Sequence, residues 1–194
     1  MANDQFNDHE LAVLLRELQK VRGRSVEGDV VELGCYKGLT SLHIQEELVK
    51  NSPAKRLYLY DSFSGLPEKR ADDASPAGTQ FKAGELPASK KDVIRIFKQS
   101  GLPMPYIRKA WFSELTPSNL PERIALAFLD GDFYESIMDS LKLVWPKLAP
   151  GAVVVVDDYQ NEQLPGAAKA VDEWLKTHPA QLAIEASLAI IRLI

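Results

Sequence analysis

The residues in this sequence that could do chemistry are mostly carboxylates at the ends of apolar runs. Asp130-Gly131-Asp132 follows the run 124–129 directly, and Asp157-Asp158 follows the run 152–156. In an open parallel sheet, ligands gather outside the carboxyl ends of the strands. Acidic residues at two neighbouring strand ends would bring Asp130, Asp157 and Asp158 into one cleft. Left ionised and unpaired, they would repel and raise one another's pKa values. A hard divalent cation resolves the conflict: carboxylate and water oxygens suit magnesium, which keeps several waters when bound. The competing explanation is that these aspartates are exposed caps of the helices that follow, a position Asp favours.

A second group lies earlier in the chain. The run 29–33 leads into Glu32-Leu33-Gly34-Cys35-Tyr36-Lys37-Gly38, a Glu-x-Gly-x-x-x-Gly pattern and not the Gly-x-Gly-x-x-Gly of dinucleotide binders. Glycines let the backbone approach a ligand closely, and with no pyrophosphate to hold, the acidic Glu32 is tolerable. Asp61, at the end of the next strand, could accept hydrogen bonds from both hydroxyls of a ribose. By itself the glycine pattern equally describes a structural strand-to-helix turn; joined to Asp61 it favours a nucleoside cofactor. The spacing from position 34 to position 61 is longer than the roughly 20 residues of the NAD fingerprint.

Other reactive types carry less. Cys35 has no His near it in sequence, so a small buried side chain explains it better than a nucleophile. His9, His43 and His178 lack metal-ligand spacing and are expected to be structural or exposed. Trp111 and Phe112 could stack on an adenine or serve the core, and Lys37 is either a neutralising cation or a solvated one.

These residues need a scaffold of alternating strands and helices. Leu11, Leu14, Leu15 and Leu18 mark a first amphipathic helix over 10–21, packed on the sheet or contributing to a lid. Strand 29–33, helix 39–50 and strand 56–60 follow. The stretch 62–89 is long, rich in Gly, Pro and polar residues, and reads as a lid or functional loop. Val93, Ile94 and Phe97 mark a helix that stops near Gly101. Then come a weak strand 106–109, strand 124–129, helix 135–148, a turn at Pro150-Gly151, strand 152–156, helix 166–177 and two final apolar runs, 182–184 and 188–194. Glu185-Ala186-Ser187 is a poor hairpin turn by composition. The alternation implies an α/β fold with a mostly parallel sheet and helices on both faces. We expect one domain over 1–194, with 1–28 as a helical extension.

Composition narrows the function classes. The 194 residues are 45% hydrophobic and 26% charged, with a formal net charge of −4 and no long basic run. A phosphate-backbone footprint is absent, so nucleic acid is not an expected partner. No apolar run reaches transmembrane length, the acidic start is unlike a signal peptide, and a single cysteine fits a reducing cytoplasm.

Together, Val31-Glu32-Leu33-Gly34-Cys35-Tyr36-Lys37-Gly38, Asp61-Ser62-Phe63-Ser64-Gly65-Leu66-Pro67, Leu129-Asp130-Gly131-Asp132-Phe133-Tyr134-Glu135-Ser136 and Asp157-Asp158-Tyr159 resemble the macrocin O-methyltransferase (TylF-like) group of class I methyltransferases, from about residue 28 to residue 174. The resemblance implies a Rossmann-like fold and a methyl donor, S-adenosylmethionine, held along Glu32, Gly34, Cys35, Gly38, Asp61 and Ser62. It also implies magnesium held by Asp130, Asp157 and Asp158, with Asp132 as general base toward a hydroxyl of a small sugar-like or diol-bearing acceptor. Members acting on antibiotic sugars usually carry a longer region before the first strand. The acceptor site expected here is therefore more open, or completed by a second subunit in a homodimer. The rival readings are a nucleoside-cofactor oxidoreductase, which the glycine pattern disfavours, and a catalytically silent binding domain, which has no physical need for clustered carboxylates.

Overall fold

The computed structural model describes residues 6–77 and 81–193. Seven strands form one sheet: β1 Asp29–Leu33, β2 Leu57–Asp61, β3 Tyr106–Lys109, β4 Ile124–Leu129, β5 Leu148–Val156, β6 Ala180–Glu185 and β7 Leu188–Leu193, in the order β3-β2-β1-β4-β5-β7-β6. The first five run parallel; β7 pairs antiparallel with both β5 and β6. Strand order reverses between β1 and β4, the place where ligands bind in doubly wound sheets.

Helices cover both faces, as the alternation predicts. On one face α1 (Asp8–Gly23), α2 (Leu39–Asn51) and α3 (Lys90–Ser100) bury Val13, Leu14, Leu18, Ile44, Val93 and Phe97 against Val30, Leu59, Phe128 and Val155. On the other, α4 (Tyr134–Val144) and α5 (Pro165–Thr177) bury Ile137, Leu141, Ala170 and Val171 against the alternate residues Val31, Leu33, Leu129 and Val154. The period of two along each strand divides the apolar residues between the two layers. Asn7 caps α1 through a capping box with Glu10, which fixes where the extension begins. Residues 1–5 of the expected 1–28 extension lie outside the described residues.

Three local expectations change. Helix 135–148 is shorter: α4 stops at Val144 and a 3-10 turn, Trp145–Lys147, carries Pro146, whose ring blocks helix continuation. Pro150 and Gly151 do not turn the chain but lie within β5. There the register against β4 jumps, pairing Ile124 with Leu148 and Leu126 with Val153, and Gly151 takes φ +81°. A bulge is where a strand tolerates Pro. Finally, the poor turn closes a regular hairpin. Ala186 and Ser187 have φ of 50° and 66°, the left-handed pair of a type I′ turn. Long-range hydrogen bonds hold it, from the Ser187 hydroxyl to Glu10 Oε1 (2.6 Å) and from the Gln160 N–H to the Ser187 carbonyl (3.3 Å).

The segment 62–89, whose residues 78–80 lie outside the described set, is anchored. Leu66 packs with Phe133 and Leu164, flanked by Phe81 and Leu86. Buried Asp73 accepts the Tyr134 N–H at 2.7 Å and so caps α4.

Candidate active site

One row of residues crosses the carboxyl edge of the sheet. The parallel ladder continues one residue beyond the strands: the Gly34 N–H donates to the Tyr60 carbonyl, Asp130 to Leu33 and Asp157 to Leu129, each at 2.9 Å. Asp61, Gly34, Asp130 and Asp157 therefore stand side by side, at about the 4.8 Å spacing of neighbouring strands. Gly34 has φ +94°, and a Cβ there would lie 1.7 Å from the Asp130 carbonyl oxygen. The chain can cross at this point only without a side chain.

A cleft opens over this row, lined by Gly34, Asp61, Ser62, Asp130, Asp132 and Asp158 among others. Its empty space is about 1190 Å³, continuous with solvent. Asp157 reaches the wall too, although only 8% of it is exposed. Oxygens of Asp130, Asp132 and Asp158 come within 4.8 Å of one another, the one arrangement among the described residues able to gather three ligand atoms on a metal. Asp157 is not in that trio; its Oδ1 accepts the N–H of Asp158 at 2.8 Å. Asp132 and Asp158 both have left-handed backbone, φ 59° and 58°, a conformation Asp tolerates better than most residues and one that clusters at functional sites.

Electrostatics set these acids apart. Burial, followed by repulsion from Asp157, Asp132, Asp158 and Glu32, pushes the Asp130 carboxyl well above its ordinary pKa. Asp132 rises through burial and then through Asp158 and Asp61. Asp157 rises through burial and Asp158, partly offset by its backbone hydrogen bond. Asp158 is pushed up to about 6 by burial, against a lowering hydrogen bond from Asn161. The donor set is oxygen only, which suits a hard cation.

The cofactor candidates divide into wall and frame. Gly34, Asp61 and Ser62 line the cleft; Glu32, Cys35 and Gly38 do not. Glu32 is buried and accepts the Ser41 hydroxyl at 2.5 Å, tying β1 to the first turn of α2. Gly38 begins that helix at φ +82°. Cys35 is buried, its thiol pushed well up by burial and then by Asp61, so it is no nucleophile. Asp61 does more than an acceptor for ribose needs to do. Its Oδ2 takes the N–H groups of Cys35 and Tyr36, both at 2.9 Å, and its Oδ1 takes that of Phe63 at 2.6 Å. The carboxylate shapes the glycine turn and keeps about one of its four lone-pair sites open to the cleft.

Of the aromatic candidates, Trp111 and Phe112 both line the cleft, and Phe112 also packs on the α4–α5 core. Lys37 lies over the Tyr36 ring at 4.8 Å, and His178 stacks on Trp174 at 3.8 Å, outside the cleft lining. Sequence reasoning missed Glu10, Glu135, Ser136 and Asp139, which line the cleft from α1 and α4. The capping pair Asn7/Glu10 could have flagged Glu10 only as a helix start.

The family model described as macrocin O-methyltransferase (TylF) matches residues 6–189. Mycinamicin III 3''-O-methyltransferase of Micromonospora griseorubida is 33% identical over 162 residues, 79% of this chain and 62% of that protein. An 8-demethyl-8-(2,3-dimethoxy-alpha-L-rhamnosyl)-tetracenomycin-C 4'-O-methyltransferase of Streptomyces olivaceus is 33% identical over 148 residues, 73% of this chain and 57% of that one. The chain thus spans about three-fifths of the length of these curated relatives. Among solved structures, the O-methyltransferase NovP superposes with a TM-score of 0.83 at 27% identity, covering 94% of this chain and 78% of its own. These matches identify the sheet as the Rossmann-like class I methyltransferase fold that the sequence implies.

Proposed function

The chain belongs to the macrocin O-methyltransferase (TylF) family, and from that premise we propose that it moves the methyl group of S-adenosylmethionine to a hydroxyl of a small sugar-like or diol-bearing acceptor, with magnesium bound. The observation that carries this reading is the meeting, in one cleft, of the Gly34–Asp61 turn with the carboxylates of Asp130, Asp132 and Asp158. Both curated relatives are named as O-methyltransferases, one of them for a rhamnosylated natural product.

The donor supplies an electrophilic methyl on a sulfonium. Asp61 would hold its ribose by the remaining acceptor site, Ser62 and Gly34 would bound it, and Trp111 offers a face for the adenine. Magnesium would lie among Asp130, Asp157 and Asp158, where it would lower the pKa of an acceptor hydroxyl and orient it. Asp132 would take the hydroxyl proton as the oxygen attacks the methyl and the thioether product leaves. Burial, then Asp158 and Asp61, raise the Asp132 carboxyl above its ordinary range, which makes its carboxylate a stronger proton acceptor.

A second assignment of two acids is favoured by the trio's geometry. In it Asp132 is a ligand beside Asp130 and Asp158, while Asp157, turned onto the Asp158 N–H, positions its neighbour. Magnesium titration separates the two. Asp132→Asn keeps the metal and loses rate if Asp132 is the base, and loses metal affinity if it is a ligand. We further propose that residues 1–194 act as one domain in a reducing, cytoplasmic setting. The test of the reading as a whole is S-adenosylhomocysteine release with a panel of alkyl glycosides and glycosylated aglycones. Release should need both magnesium and a free hydroxyl. Tight nicotinamide binding in place of S-adenosylhomocysteine would overturn it.

A further inference from the structure

Both α4 and α5 begin without a side-chain cap of their own. The residue before α4 is Phe133 and the residue before α5 is Leu164, and neither side chain bonds the first turn it precedes. The missing acceptor for α4 arrives from 61 residues away. Asp73, only 1% exposed, accepts the Tyr134 N–H on Oδ1 at 2.7 Å and the Arg70 N–H on Oδ2 at 3.2 Å. The first turn of α5 makes room for it. Gly166 is buried there, and a Cβ on it would overlap Asp73 Oδ1 and lie 2.7 Å from the Tyr134 nitrogen. Alanine is otherwise the better helix residue, so this glycine answers to the carboxylate and not to the helix. Two helix N-termini thus face one buried carboxylate, the dipole end that favours negative charge.

The start of α4 matters for the chemistry because the Asp130–Asp132 turn ends there. The Phe133 N–H donates to the Gly131 carbonyl at 2.6 Å, and a Cβ on Gly131 would lie 2.9 Å from the Ser136 Cβ. The turn is pressed onto the first turn of α4, with Asp132 held at φ 59°. A shift of Tyr134 is therefore passed to the Asp132 carboxylate, two residues back. The segment that carries Asp73 also supplies Ser62, Gly65, Leu66 and Pro67 to the cleft wall. Leu66 packs on Phe133 and Leu164, and the Ser75 hydroxyl donates to the Glu162 carbonyl at 2.5 Å. One stretch of chain bounds the cleft beside Asp61 and fixes where α4 begins.

Resting on the methyltransferase reading above, we propose that Asp73 is a positioning residue for methyl transfer. It does not line the cleft. By capping α4 it sets the direction of the Asp132 carboxylate, whether Asp132 removes the proton or holds the metal. The pairs Arg70–Glu135 and Lys169–Asp72 fasten the same segment, but they are solvent-exposed and contribute little.

Single-turnover transfer of a radiolabelled methyl group to methyl α-L-rhamnopyranoside tests this in a double-mutant cycle. Asp73→Ala should lower the maximal rate about 10- to 100-fold. Affinity for S-adenosylhomocysteine and the half-saturating acceptor concentration should stay within about threefold. Asp73→Asn keeps an acceptor for the Tyr134 N–H and should recover to within about threefold of the unaltered protein. Gly166→Ala leaves the carboxylate in the chain but displaces it, and should reproduce the loss. On an Asp132→Asn background, Asp73→Ala should change the remaining rate less than about twofold, because the group it aims is gone. A merely structural loss would multiply through either background. A penalty that persists in Asp132→Asn, or an undiminished rate in Asp73→Ala, overturns the proposal. No transfer by the unaltered protein to any glycoside of the panel would instead overturn the methyltransferase reading.

Discussion

Asp61 and the acids of β4 and β5 occupy equivalent places at the carboxyl edge of one sheet, yet their surroundings are opposite. Asp61 faces three backbone N–H donors and is satisfied by the protein itself. Asp130, Asp132 and Asp158 face one another, and burial with mutual repulsion raises all three. A strand-end aspartate is thus a frame element when amides converge on it and a crowded, mutually repelling acid when other carboxylates do. The chain around it decides: Gly34 lets the β1 turn bring the Cys35 and Tyr36 N–H groups onto Asp61, whereas Asp132 and Asp158 take left-handed backbone and their oxygens come together with those of Asp130.

The largest expected effect comes from the carboxylate cluster. Asp132→Asn should lower the methyl-transfer rate by about 10²- to 10⁴-fold if it removes the proton acceptor, read from single-turnover kinetics. Gly34→Ala strikes the crossing between the two regions. With a Cβ 1.7 Å from the Asp130 carbonyl oxygen, we expect a loss of about 3 kcal/mol or more, measured by urea unfolding. On the frame side, Asp61→Asn should weaken S-adenosylhomocysteine by about 1.5–3 kcal/mol, since charge-assisted hydrogen bonds are lost from the turn and the ribose together. Unchanged affinity would confine Asp61 to a structural role.

The smallest effect is a pH dependence. A carboxyl raised in the folded state favours folding when protonated. For Asp158 that contribution is present below about pH 4 and is lost as pH rises through about 6. Magnesium binds the ionised form, so it should raise the melting temperature by a few degrees more at pH 8 than at pH 5. Equal shifts at both values would mean that the cluster does not take up the ion as carboxylates.

Much of the frame was legible in the sequence because hydrophobic period and strand-end residues are local signals. The bounds of β1, β3 and β4 follow directly from runs such as Ile124–Leu129. What was not legible depended on contacts distant in the chain. The hairpin turn at Ala186-Ser187 looks wrong by composition and is held by Glu10 of α1 and by Gln160. The bulge at Pro150-Gly151 reads as a turn until β4 is laid beside it. Asp61, Asp130, Asp132, Asp157 and Asp158 could all be found as acids at strand ends. Which of them converge depended on backbone conformations at single residues, and the Glu10, Glu135 and Asp139 wall depended on which faces of α1 and α4 turn toward the cleft.

The comparison at the centre of this account is tested most directly by titrating magnesium into the S-adenosylhomocysteine-loaded protein by calorimetry, alongside Asp130→Asn and Asp61→Asn. The account predicts one bound ion per chain, an affinity reduced at least about 100-fold in Asp130→Asn, and near-unchanged metal binding in Asp61→Asn. Magnesium binding that survives Asp130→Asn, or that falls equally in both variants, would contradict it.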